Sequence, residues 1–178
     1  MLVLPSPRAA VRLVVAVLVV VVCLALPAGA QRGDVTAVTP DDLHAVIARH
    51  VGTVVVVNFW ASWCPPCRTE FPDIMAVDRD YKARGVQVLA VSMNAPDETE
   101  DIDGFLQTFQ PSFPVYRAAD PEDGFYQGVS REWFGELPVT LVVDAAGRTV
   151  HFHKTPVTYD ELARDLAPLL PRVVAPAR

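Results

Sequence analysis

Two cysteines, Cys64 and Cys67, stand two residues apart in the run Trp63-Cys64-Pro65-Pro66-Cys67. At the start of a helix this spacing puts both sulfurs on one face, which suits reversible thiol–disulfide exchange. A thiolate at Cys64 can attack a partner's disulfide, and Cys67, one turn on, can attack the mixed disulfide and release the product. The helix's unpaired N–H groups and positive dipole end favour that thiolate and lower the Cys64 pKa. As a staple the pair would do little, because closing so short a loop barely constrains the unfolded chain. Half of a zinc site is the other reading of C-x-x-C, but it needs two more ligands and no second cysteine pair exists. Pro66 preorganises the first turn, and neither intervening residue carries a charge. A histidine there would stabilise the thiolate and make the site an oxidant; its absence leans towards a reductant.

Several elements must position this pair. Val54 to Phe59 is a continuous apolar run, as expected of a central strand covered on both faces. The cysteines follow it and open a helix expected from about Pro66 to Arg84, with Pro72 inside and Gly85 at its end. Upstream, Thr39, Pro40 and Asp42 read as N-cap, first helical position and first-turn acid of a helix to about His50. Downstream the pattern predicts a strand over Val86–Val91, a helix over Thr99–Gln110 and a strand over Phe113–Ala118. A helix over Asp123–Phe134 interrupted by Gly128, a hairpin of Val139–Val143 with Thr149–His153, and a last helix over Tyr159–Leu170 complete it. Parallel βαβ units followed by an antiparallel hairpin mean an α/β fold with a mixed sheet covered on both faces.

The N-terminus bears on the compartment. Arg8 and Arg12 precede an apolar run from Leu13 to Leu26, then Pro27 and the small residues Ala28-Gly29-Ala30. This reads as a secretory signal peptide over residues 1–30, with an uncleaved N-terminal anchor as the alternative. Either way the domain is exported, to the periplasm or the outer face of the cell membrane. Cys23 falls inside that segment, and Val22 before it is too large for lipoprotein processing. Residues 31–38 read as a linker, 39–171 as the domain and 172–178 as a flexible tail. With 15 Lys and Arg against 21 Asp and Glu, the chain is net acidic. It has no basic run to grip phosphate backbones, so nucleic acid is not an expected partner.

Residues 57–72, Val-Asn-Phe-Trp-Ala-Ser-Trp-Cys-Pro-Pro-Cys-Arg-Thr-Glu-Phe-Pro, resemble the TlpA/ResA-type branch of thioredoxin-like proteins. These are exported thiol–disulfide oxidoreductases, several of which act in cytochrome c maturation or copper-site assembly. The resemblance spans roughly residues 36–170 and includes Gly135-Glu136-Leu137-Pro138-Val139-Thr140. It implies a thioredoxin-like fold with a central strand–helix insert at about 111–134. It makes Cys64 the nucleophile, Cys67 the resolving thiol and Pro138 a cis-proline facing them, with Leu137's backbone free to pair with an extended substrate chain. Asn58 stands where thioredoxin itself has a buried acid that accepts the second cysteine's proton, and an amide cannot do that. Glu70, three residues after Cys67 on the same helical face, is the replacement the ResA-type motif implies. A carboxyl half-buried beside two sulfurs should have a raised pKa, and Ile74 leaves it no i+4 base.

Other features have plainer readings. Trp60 reads as core packing, and Trp63 equally as core packing or as part of a partner-docking surface. The acids from Asp97 to Asp103 suit a helix start. His151 and His153 share a strand face in a metal-like spacing, but a polar face on an edge strand accounts for them. No metal or organic cofactor is expected. A Sco-type copper module is disfavoured because its cysteines are spaced C-x-x-x-C and its histidine falls near Leu137 and Pro138. A peroxidase of the peroxiredoxin type has Thr where this chain has Ala61. A disulfide-introducing oxidase of the same fold differs only in redox poise and stays open. The reading is an exported reductase of client-protein disulfides, with an apocytochrome c or a copper-site protein as client. Family and compartment imply a membrane thiol electron donor of the DsbD or CcdA kind.

Overall fold

A computed structural model describes residues 35–121 and 124–171. The targeting segment expected over 1–30, the start of the linker and the tail lie outside the described residues. The elements are β1 (Thr36–Val38), α1 (Pro40–Ala48), β2 (Val54–Trp60), α2 (Pro65–Tyr81) and a 3-10 turn (Lys82–Arg84). They continue with β3 (Val86–Ser92), α3 (Thr99–Phe109), β4 (Val115–Ala118), α4 (Phe125–Val129), β5 (Val139–Val143), β6 (Thr149–His153) and α5 (Tyr159–Leu166).

Six strands form one sheet in the order β1-β4-β3-β2-β5-β6. The first four neighbours run parallel, and β5 and β6 are antiparallel. This is the mixed, helix-flanked sheet expected. Every residue of β2 is buried, because the strand lies at the centre with helices on both faces. Its side chains alternate between two cores. Val55, Val57 and Phe59 pack towards α1 and α4, while Val54, Val56 and Trp60 pack towards α2, α3 and α5. Asn58 shares the second face and is the polar residue of an otherwise apolar strand.

α2 presents Phe71, Ile74 and Val77 to that core, each fully buried and each worth about 1.5–3 kcal/mol of apolar burial. The helix runs through Pro72 without a break and stops at Tyr81; Gly85, with a φ of 90°, ends the following 3-10 turn in the left-handed region. Trp60 stacks on Phe105 at 3.8 Å, and Phe71 meets Phe105 edge-on at 4.8 Å. This aromatic cluster locks α2 and α3 against the end of β2 where the cysteines begin.

Three sequence expectations need correction. The linker read over 31–38 ends in a strand: Thr36–Val38 pairs with β4 at the sheet edge. Only Val38 of the three is buried, so no alternation marked it. Helix Asp123–Phe134 shrinks to Phe125–Val129, because Ser130 turns extended and the next residues fold around Trp133. Trp133 is fully buried, 4.5 Å from Phe59, and its indole N–H donates to Glu136 O. Gly128 is the contact with α1, since a Cβ there would sit 2.7 Å from the Pro40 ring. The last helix closes at Leu166 instead of Leu170.

Candidate functional site

The cysteine pair sits where β2 hands over to α2. Cys64 is the N-cap of α2, and its Sγ accepts a hydrogen bond from the Cys67 N–H at 3.3 Å. A sulfur in that position satisfies one of the helix's orphan donors, which favours negative charge on it. The two sulfurs are joined in a disulfide. Cys67 has no exposed surface, whereas Cys64 keeps 4% of its own. A partner therefore has access to Cys64 and not to Cys67.

The loop ahead of Cys64 is held from the next strand. Asn94, just past β3, accepts from the Ser62 N–H at 2.9 Å and donates to Ser62 Oγ at 2.7 Å. Asn94 also takes a hydrogen bond from Ser92 Oγ and gives one to Glu98. Met93 N–H donates to Trp60 O at 2.7 Å. Nothing at the sequence level singled out Ser92, Asn94 and Glu98. The available signal was a polar residue directly after a buried parallel strand, the end at which such sheets build their sites.

Glu70 lies one turn below Cys67. Its carboxylate is buried, 3% exposed, with Oε1 accepting from Asn58 Nδ2 at 2.7 Å and Oε2 from the Val157 N–H at 2.8 Å. Burial pushes its pKa up to about 7, outweighing the two hydrogen bonds that lower it, and Asp73 adds a little in the same upward direction. Near neutral pH this carboxyl is poised to take or give a proton. Asn58 also donates to Thr140 Oγ1 at 3.0 Å, while its own Oδ1 finds no partner among the described residues. So α2, β2 and the segment before α5 converge on one carboxylate, and β5 holds the Asn58 amide that reaches it. Val157 and Thr140 are partners that sequence reasoning did not find, because they come from 87 and 82 residues away from the groups they bind.

The register Phe59↔Val139 sets the start of β5 beside the end of β2. Pro138 thus falls level with Trp60, at the end of the sheet from which the cysteine loop leaves. The Leu137–Pro138 peptide bond is cis, Pro138 is buried and Leu137 is half-buried. Gly135 precedes them with φ 98°, and a Cβ there would sit 3.2 Å from the Tyr126 ring. Trp60 is fully buried, whereas Trp63 is 59% exposed. Cys67 and Glu70 therefore lie on the helix that Cys64 caps, Trp63 projects beside them, and Leu137 and Pro138 stand directly ahead of β5. His151 and His153 belong to edge strand β6.

The AhpC/TSA family model matches residues 30–152. The thiol:disulfide interchange protein HelX of Rhodobacter capsulatus is 36% identical over 122 residues, covering 67% of this chain and 62% of its own. The thiol-disulfide oxidoreductase ResA of Oceanobacillus iheyensis is 30% identical over 120 residues, covering 66% of this chain and 59% of its own. The chain thus matches about three fifths of the length of these curated relatives. Among solved structures, one described as a thiol:disulfide interchange protein DsbE from Chlorobium tepidum is similar at TM-score 0.56 and 31% identity. That match covers 67% of this chain and 79% of the other. The fold is thioredoxin-like.

Proposed function

The chain belongs to the AhpC/TSA family, and we propose that it is an exported thiol–disulfide oxidoreductase that reduces client-protein disulfides through Cys64 and Cys67. The Cys64 thiolate attacks one sulfur of the client disulfide; a new S–S bond forms and the client's other sulfur leaves as a thiolate. Cys67 gives its proton to the Glu70 carboxylate and attacks Cys64 Sγ, expelling the client's second sulfur. Two electrons pass to the client, and the protein is left with the Cys64–Cys67 disulfide. A membrane thiol donor of the DsbD or CcdA kind returns the two electrons, as an exported reductase requires.

The observation that carries this reading is the disulfide at the N-terminus of α2 with a buried Glu70 one turn below it that has no Lys or Arg partner among the described residues. The names of the curated relatives support the same chemistry. Leu137, Pro138 and the exposed Trp63 form the client-docking side, where an extended client chain pairs with the Leu137 backbone. The client is an apocytochrome c or a copper-site protein, as the resemblance implies. The arginine-flanked apolar segment over 1–30 exports the domain.

The test is the reduction potential of Cys64–Cys67, followed by tryptophan fluorescence in defined thiol buffers. A value near or below about −250 mV supports the reductase. A value near about −120 mV makes the protein an oxidase of the same fold and overturns the reductive direction.

A further inference from the structure

Away from the cysteines, β6 and α5 bring together three side chains of one kind of chemistry. Asp165 on α5 faces His151 and His153 on β6. His153 Nε2 lies 2.7 Å from Asp165 Oδ2, and His151 Nδ1 lies 3.7 Å from Asp165 Oδ1. The two imidazoles stand parallel, 6.0 Å between centroids and 9° between planes, so both rings point the same way off the strand. One nitrogen from each ring and one carboxylate oxygen lie within 4.8 Å of one another.

The charge balance is unusual for a structural ion pair. Asp165 is 18% exposed, yet among the described residues its ion pairs are with these two imidazoles alone. The neighbouring bases are committed elsewhere: Arg164 donates to Asp160 O, and Lys154 pairs with Glu136 and donates to Glu132 O. Glu161 is also close enough for His153 to influence its charge. Among the described residues no Lys or Arg, a permanent cation, pairs with Asp165. Two imidazoles and a carboxylate are instead a donor set for a borderline divalent ion. A tetrahedral zinc ion at about 2.0–2.1 Å from its ligands holds them roughly 3.3 Å apart. Small side-chain rotations would bring the 4.8 Å spacing towards that value, the ion replacing the direct His153–Asp165 contact.

We propose that His151, His153 and Asp165 form a binding site for one divalent transition-metal ion of the zinc or copper class, with a fourth position open to solvent. Imidazole and carboxylate together favour Zn2+ and Cu2+ over Mg2+ or Ca2+, which want oxygen alone. The site joins the last residue of β6 to α5, and the loop between them carries the Val157 N–H that holds Glu70. A bound ion therefore ties together the two elements that flank the loop on which Glu70's backbone donor sits. The site uses neither cysteine and stands independently of the redox reading.

The experiment titrates Zn2+, and separately Cu2+, into the full chain in detergent, without a histidine tag. The chain carries Cys23→Ser and an intact Cys64–Cys67 disulfide, so that no thiol competes. Expected are one equivalent bound with Kd at or below about 10 µM and a Tm that rises until one equivalent is added. His151→Ala, His153→Ala and Asp165→Asn should each weaken binding about tenfold or more, while the His44→Ala/His50→Ala double variant binds normally. Far-UV circular dichroism without metal checks that each variant is folded, and Asp165→Asn keeps the shape of the side chain it replaces. Binding that survives all three substitutions, or that is lost with His44 and His50, places the ion elsewhere and overturns the proposal. So does the lack of saturable binding with both metals.

Discussion

Two buried carboxylates in this molecule have opposite fates. Glu70 on α2 is 3% exposed and Asp144 in the β5–β6 turn is 8% exposed. Both accept a hydrogen bond from a backbone N–H. Asp144 takes four bonds, from the N–H groups of Ala146 and Arg148 and from the Arg148 guanidinium at 2.9 and 2.7 Å. The Arg148 side chain, ahead of the backbone donors, holds its carboxyl below the ordinary range. Glu70 takes two bonds, both from neutral amides, and is pushed up to about 7 by burial. Donors alone do not decide a buried carboxyl's charge; a permanent cation with access to water does. Asp144 is fixed as an anion and shapes a turn, whereas Glu70 is left able to exchange a proton beside two sulfurs.

The sharpest way to break this contrast is at the sulfurs. Cys64→Ser should reduce turnover of a model disulfide such as insulin to the uncatalysed background, while Asp144→Asn leaves it unchanged. Retained turnover in Cys64→Ser would remove Glu70's reason for being poised. Next, Glu70→Gln should slow exchange at pH 7 by about 10²-fold and erase the inflection near neutral pH in the rate profile. The substitution is tolerable structurally. A flipped Asn58 amide can offer its otherwise unpaired Oδ1 to the new NH2 group, and Thr140's hydroxyl can donate to the same oxygen. An unaltered pH profile would sink the proton-acceptor role.

A third, smaller effect lies in stability against pH. Glu70's folded pKa is above its unfolded value of 4.5, so the native state holds the extra proton. Its contribution is fully present below about pH 4.5 and is lost as pH rises towards 7 and beyond, with a limiting slope of about 1.4 kcal/mol per pH unit. Tm of the oxidised protein, measured from pH 5 to 8, should fall more steeply for the native sequence than for Glu70→Gln. Asp144 works in the reverse sense: its depressed pKa stabilises the fold above the unfolded pKa, and that contribution disappears as pH falls through the folded one. The smallest expected effect is therefore a modest drop in Tm for Asp144→Asn at pH 7 that narrows in acid. Parallel pH curves for the two variants would show that the two carboxylates are not different in kind.

Much of this was legible along the chain. The continuous apolar run of β2 announced a central strand, and the cysteines after it announced a helix start, because burial and capping leave local marks in residue type. Thr39 with Asp42 and Thr158 with Glu161 close capping boxes where the pattern placed helix starts. Less legible were the weak elements. β1 has three residues and one buried side chain, and α4 ends where Trp133 finds a pocket against Phe59. Both are decided by partners far away in sequence.

The chain by itself determined the chemistry on offer: two cysteines one turn apart at a helix start, a glutamate one turn further on, and an asparagine in the strand alongside. Spacing of about 3.6 residues per turn is enough to place such groups on one face. Only the tertiary structure decided what environment they meet. It closed water off from Glu70, brought the Val157 N–H and Asn58 to its two oxygens, and gave it no cationic partner among the described residues. It also carried Asp165 to the two histidines of β6. The physical reason is that charge state depends on solvent and neighbours, and both are supplied by long-range packing that no local pattern records.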